Sequence, residues 1–416
     1  MRKINFALAL FLLFQSEVFA AKQVFVGGDS SNPAATAVRY NALQGPFASW
    51  VADIDDVESI TPSAGTVSNF RIKVDTTPTG AETWTFDLLL DGAATDLSIV
   101  ISAGETDELD TSSVSVSAGQ EIVIRSTPSG TPDLTSVQWA LDFEPTTTDY
   151  FWILGGSDGT NAQTNRTIPL GGHEAIDGSP VDVEIVTPVS GTFRNMYISL
   201  ETAVAAGESW TFTLRKAGVA TALTLTITEG LTEGSDTSNT VAAAAGERWG
   251  IYIEEVAVGG VGPPICGIVF DPDTTGQFLI PMMDDSSLAL GETFNVPSGI
   301  GLAWTATETS FDQLANAFTA KMIYCSMTVA PTAGNSHILT LRTNMTTDTA
   351  LAVTVNDTET SDSVTTDVSI SAADLLTLKH TVSGTPASSV ENRITLVGIV
   401  PAAGGGPKKG AVMVVN

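Results

Sequence analysis

Gly155-Gly156-Ser157-Asp158-Gly159 has the G-x-S-x-G spacing of a nucleophile elbow. That motif works when a tight strand-to-helix turn exposes the serine beneath a helix N-terminus. An apolar strand, Phe151 to Leu154, does precede it, but Thr160 to Asn165 follows with no helical pattern. A glycine-rich loop after a strand is the favoured reading of Ser157. The three histidines, His173, His337 and His380, stand in different settings, without the paired histidines or cysteines a zinc site needs. No phosphate-binding P-loop is present. Calcium takes carboxylate and carbonyl oxygens from flexible loops. Its candidate ligands are Asp53, Asp55 and Asp56, then Asp158, then Asp284 and Asp285, with Asp107 to Asp110 as a further loop. None of these has EF-hand spacing, so solvated loops are favoured; no cofactor is expected, and calcium is the one ion kept in view. Trp50, Trp152 and Trp304 could stack on a sugar, whereas Trp84, Trp139, Trp210 and Trp249 fall at inward strand positions and belong to cores.

Charge narrows the partners. The 416 residues hold 47 acidic and 18 basic side chains, a net charge of −29. Phosphate neutralisation needs clustered Lys and Arg, so nucleic-acid binding is excluded, and an anionic membrane surface is disfavoured for the same reason. Residues 1–20 read as a signal peptide: Arg2-Lys3, the apolar run Ile4 to Phe14, and small residues near Ala20. The run is shorter than the ~20 residues of a membrane span, so the expected product is secreted, extracellular or at the cell surface, with no membrane span in the mature chain. Two cysteines rule out a disulfide-rich scaffold. Cys266 and Cys325 fall at inward positions, favouring two separate buried thiols over a bridge.

The elements that would position these residues are repeated. Gly65-Thr66-Val67-Ser68-Asn69-Phe70-Arg71-Ile72 returns 126 residues later as Gly191-Thr192-Phe193-Arg194-Asn195-Met196-Tyr197-Ile198, and Glu82 to Phe86 returns as Glu208 to Phe212. A third copy shows where Ser129 to Pro132 returns as Ser383 to Pro386. The repeats span 21–148, 149–273 and 274–403, each long enough to bury its own core. Trp84, Phe86, Leu88 and Leu90 alternate with Thr85, Asp87 and Leu89, the period of a half-buried strand. Turn signals such as Pro78-Thr79-Gly80 and Asp91-Gly92 separate such strands. The prediction is an all-β chain of three tandem antiparallel β-sandwich, jelly-roll-like domains. Phe311 to Phe318 allows one turn of helix at most, and Ser371 to Leu378 is read as a strand.

The string Gly191 to Leu214, followed by Gly218, Thr221, Leu223, Leu225 and Ile227 and the turn Ala245-Gly246, resembles a jelly-roll repeat of phage-related structural proteins and environmental bacterial surface proteins. The resemblance implies a β-sandwich similar to the tumour-necrosis-factor and C1q class, which often forms trimers, and it brings no catalytic residues. Past the linker Gly404 to Pro407, residues Ala411, Val412, Met413, Val414 and Val415 form a strand-like tail that needs a sheet edge. The expectation is a non-enzymatic structural protein that self-associates as a fibre or filament, with that strand adding to a sheet edge either in the same molecule or in a neighbouring one. The alternatives are an adhesin that binds glycans on a cell surface and a virion fibre or decoration protein.

Overall fold

The structure is a computed structural model describing residues 21–400, apart from residues 30, 46–48, 179–182, 257–260, 285–287, 289, 301–302, 309–311 and 388–391. The alternation of the sequence appears in it as strands, and no α-helix occurs among the described residues. The first repeat supplies β1 (Gln23–Asp29), β2 (Arg39–Asn41), β3 (Ser59–Ile60), β4 (Gly65–Val74), β5 (Thr83–Leu90), β6 (Ala93–Ile101), β7 (Asp107–Val116), β8 (Glu121–Ser129) and β9 (Val137–Pro145). From the second come β10 (Phe151–Ser157), β11 (Arg166–Ile168), β12 (His173–Glu174), β13 (Ile185–Thr187), β14 (Gly191–Leu200), β15 (Ser209–Lys216), β16 (Val219–Thr228), β17 (Glu233–Ala243), β18 (Glu247–Val256) and β19 (Pro264–Pro272). The third provides β20 (Gln277–Asp284), β21 (Thr293–Asn295), β22 (Gly299–Ile300), β23 (Gln313–Leu314), β24 (Phe318–Met327), β25 (Ser336–Thr343), β26 (Thr347–Asn356), β27 (Ser361–Ile370), β28 (Leu375–Ser383) and β29 (Asn392–Ile399).

Each repeat packs one sheet on another. In the first, β1-β9-β4-β7 faces β2-β8-β5-β6; in the second, β12-β10-β19-β14-β17 faces β11-β18-β15-β16; in the third, β22-β20-β29-β24-β27 faces β26-β25-β28. Pairing is antiparallel except for the short pairs β10–β12 and β20–β22. The first core joins Phe70, Ile72 and Trp139 of one sheet to Trp84, Phe86 and Ile122 of the other. Burying each such side chain contributes roughly 1.5–3 kcal/mol, so alternation alone gives every sandwich a substantial driving force. Phe311 to Phe318 is extended where described, as β23 and the start of β24. Ser371 to Leu378 divides into a turn and the beginning of β28.

What the alternation does not convey is how the repeats meet. β23 pairs with β28 on one side and, through Leu314 and Gly27, with β1 on the other, so strands of the first and third repeats form one nine-stranded sheet. A linear row of sandwiches would keep those two repeats apart. The contacts instead run in a cycle. At equivalent places, the Ile60 carbonyl lies against Gly267, the Val186 carbonyl accepts a 2.8 Å hydrogen bond from Thr395 Oγ1, and Leu314 packs with Ala140 and Leu375. The opening strands bury their second faces on neighbours: Trp152 and Leu154 of β10 join the first core, Leu279 of β20 the second, and Val24 and Val26 of β1 the third. The three copies thus close on one another with pseudo-threefold symmetry.

Candidate functional site

The seam between the first and second repeats gathers most of the chemistry-bearing residues. Its frame is made of hydrogen bonds that spend side-chain polar groups on otherwise unpaired backbone. Gln23 clamps Trp152, accepting from its N–H at 2.8 Å and donating Nε2 to its carbonyl at 2.7 Å. Leu154 N donates to Gln44 Oε1 at 2.9 Å, and Trp152 Nε1 donates to Ser63 Oγ at 2.8 Å. His173 Nε2 donates to the Glu58 carbonyl at 2.7 Å. Burial, against the pull of that hydrogen bond, takes the His173 pKa down to about 4 and keeps the ring neutral.

Beside this frame lies a small recess of about 20 Å³ walled by Asp55, Glu58, Glu121, Ser199, Glu201 and Ile265. Glu58 is 4% exposed. Burial first, then the nearby Glu121 carboxylate, raise its pKa from the ordinary 4.5 to about 8. Burial also raises Glu121, although Ser199 Oγ donates to it at 3.0 Å and favours its ionised form. Glu58 therefore holds its proton at neutrality, because a buried carboxyl group beside a second carboxylate cannot ionise cheaply. Chemically this is a protonated Glu58 beside Glu121, which accepts the Ser199 hydroxyl.

The equivalent acid recurs at the other seams with other partners. Glu184 stands 3.6 Å from Arg248 Nη1, and Arg393 Nε donates to the Glu184 carbonyl at 3.1 Å. Asp312 accepts from Gln138 Nε2 at 3.4 Å, and burial, with a contribution from Asp75, raises its pKa to about 6. Asn316 adds hydrogen bonds to the Asn69 carbonyl and to Asp142 Oδ1, at 2.9 and 2.8 Å. Where Arg393 and Gln138 meet their acids, the first seam has Ile265, which leaves Glu58 to its proton. A groove of about 360 Å³ crosses the same seam, lined by Ala118, Gly119, Tyr197, Glu233, Gly234 and Ser235.

The residues singled out in the sequence separate on this frame. Asp53, Asp55, Asp56 and Asp158 lie near the recess: Asp56 feels the charges of Asp53, Glu201, Asp55 and Asp158, and burial is the larger cause of its raised pKa. No group of three or more His, Cys, Asp or Glu side chains among the described residues converges as a metal site. Asp284 is buried at the end of β20, far along the chain from these, and Asp285 lies outside the described residues, as do Ala411 to Val415. Ser157 is fully buried and donates its Oγ to the Thr160 carbonyl at 2.6 Å; it is the last residue of β10, paired with Glu174, so Gly155-Gly156-Ser157 continues the strand in place of the expected glycine-rich loop, and no helix follows among the described residues. Trp50 and Trp152 are buried, and half-buried Trp304 sets its edge on His380. Cys266 and Cys325 are free, buried thiols in separate cores. Glu58 and Glu121 escaped the sequence reading; the repeat alignment that places Glu58, Glu184 and Asp312 together is the signal that could have found them. No helix among the described residues is long and apolar enough to cross a membrane. In comparison with known proteins, the chain matches no family model and no curated protein.

Proposed function

We propose that the chain is a secreted, non-enzymatic structural protein, a subunit of an extracellular or cell-surface assembly, whose three repeats are three β-sandwich domains acting as one closed head. The observation that supports this reading is the cyclic closure of the repeats: their buried polar side chains, Gln23, Gln44, His173, Asn316 and Thr395 among them, are engaged in holding repeats together. A head-to-tail contact that closes gives a ring, and one that does not close gives a filament. Since the seam surfaces are consumed by closure, growth into a fibre must use another surface, and the tail strand Ala411 to Val415 is the segment suited to edge addition. Negative-stain electron microscopy of residues 21–416 beside a chain ending at Ala403, each with and without millimolar calcium, tests this. Regular assemblies that vanish with the tail are the expected outcome. Dispersed particles from both chains, joined by affinity for glycans on an array, would move the function to adhesion.

A further inference from the structure

The third core contains a feature the other two lack. His337 occupies the place of Trp84 and Trp210, and His380 that of Ser126 and Ile253. Both imidazoles are fully buried, stacked at 5.1 Å, and bonded through His337 Nδ1 and His380 Nε2 at 2.9 Å. His380 Nδ1 meets Thr293 Oγ1 of β21 at 3.3 Å, and the Trp304 ring stands edge-on at 5.7 Å. One nitrogen of the bonded pair must carry hydrogen and the other must not, so the bond requires at least one neutral ring and is broken when both are charged.

Among the described residues, no carboxylate is among the groups that act on either ring. On their own sheet, Arg342, Lys379, Asp348 and Glu308 pair with one another, Arg342 with Glu308 at 3.1 Å and Lys379 with Asp348. Across the core, β24 presents the Cys325 thiol, which burial holds protonated. Asp284 closes β20, and Arg393 of β29 donates to the second repeat. Burial and the neighbouring His337 ring hold His380 down to about 3; burial also lowers His337, and the Ala387 carbonyl only partly offsets it. A histidine held below its unfolded value of about 6.5 stabilises the fold above that pH, and this stability is lost as pH falls from 6.5 toward the folded value.

Position gives the pair leverage. His337 lies on β25 and His380 on β28, and β28 holds β23 through Leu376–Gln313 and Leu375–Leu314. β23 is the strand that pairs with β1 of the first repeat. We propose that the His337–His380 pair is an acid-operated latch: protonation loosens the β25–β28 sheet, frees β23, and opens the ring between its third and first repeats while the second sandwich stays folded.

Hydrogen exchange of the full chain between pH 7.5 and 4, corrected for the intrinsic pH dependence of exchange, reads the device element by element. Peptides covering β23, β25 and β28 are expected to lose protection at higher pH than those covering β15 and β18. In His380→Gln, which keeps hydrogen-bonding groups but cannot titrate, the midpoint of that loss is expected to move down by about one pH unit. Uniform loss of protection across the three repeats would overturn the proposal, as would an unmoved midpoint in a folded variant. Should His380→Gln not fold, the paired variant His337→Trp with His380→Ile, which installs the side chains of the second repeat, takes its place, and the order of protection loss in the unaltered chain decides the matter independently of either variant.

Discussion

Glu58, Glu184 and Asp312 occupy one position in three settings, and the comparison shows what a buried acid at a seam requires. Glu184 has two arginines, Asp312 has an amide, and Glu58, facing Ile265, has its own proton and a second carboxyl group. Holding a charge there without a partner would cost several kcal/mol, and protonation avoids that cost. Because its folded pKa of about 8 exceeds the ordinary 4.5, Glu58 contributes stability that is present below pH 4.5 and is lost as pH rises through 8. The loss is of the order of a few kcal/mol. Melting temperature measured from pH 5 to pH 9 should therefore fall in the unaltered chain and fall less in Glu58→Gln, which is neutral throughout. Parallel curves for the two proteins would show that the seam does not feel this group. The same logic bears on the histidines: where the first two repeats have tryptophan, His337 brings a titratable ring into a core.

At the scale of the strand, the repeats differ less in their long strands than in the short ones at the seams. Leu223 to Ile227 alternates over enough residues for its buried face to be legible in the sequence, and β16 follows it; β5 follows its alternation only through Phe86, because Asp87 and Leu89 are buried as well, Leu89 in a cluster with Ala42, Val57 and Val123. β3, β13 and β23 have two or three residues each, too few for any period, and besides pairing within its own repeat each of them also meets another repeat. This is why the sandwiches were legible and the ring was not. Trp152 shows the same limit, since its neighbours in sequence cannot report that Ser63 and Gln23 of the first repeat receive it. The bulge in β4 and β14 was half-visible: Asn69 and Asn195 both recur in the repeated string, and their φ of 53° and 50° is a conformation asparagine tolerates. Gly267 gives a direct test of the seam. A Cβ there would stand 1.9 Å from the Ile60 carbonyl, a backbone atom that cannot turn aside, whereas a Cβ on Gly291 meets nothing within 4 Å. Gly267→Ala should cost about 1–3 kcal/mol in thermal or urea unfolding, and Gly291→Ala should stay within about 0.5 kcal/mol of the unaltered chain. Equal effects of the two would mean that the first and second repeats do not meet as closely as Ile60 and Gly267 place them.

For the whole molecule, closure decides shape and what surface remains for others. Three copies carried by one chain are held at a fixed stoichiometry that a homotrimer reaches only by association, and each seam is free to diverge, as the acids at the seams have. A ring also places the ends of the described chain in one neighbourhood: Ala21 sits in the third core, with Val400 packed against it. Solution scattering distinguishes this shape from a row of beads. A compact particle of this length has a radius of gyration of about 21 Å, and three sandwiches in line would reach roughly 35 Å. A chain ending at Ala403 should give the smaller value at neutral pH. If the His337–His380 pair governs the joint between third and first repeats, the radius should grow toward the larger value near pH 4.5 while β-sheet circular dichroism is largely retained. Growth without loss of sheet would locate the event at the seam, and growth only together with loss of sheet would make it general acid unfolding of a chain with 47 acidic side chains.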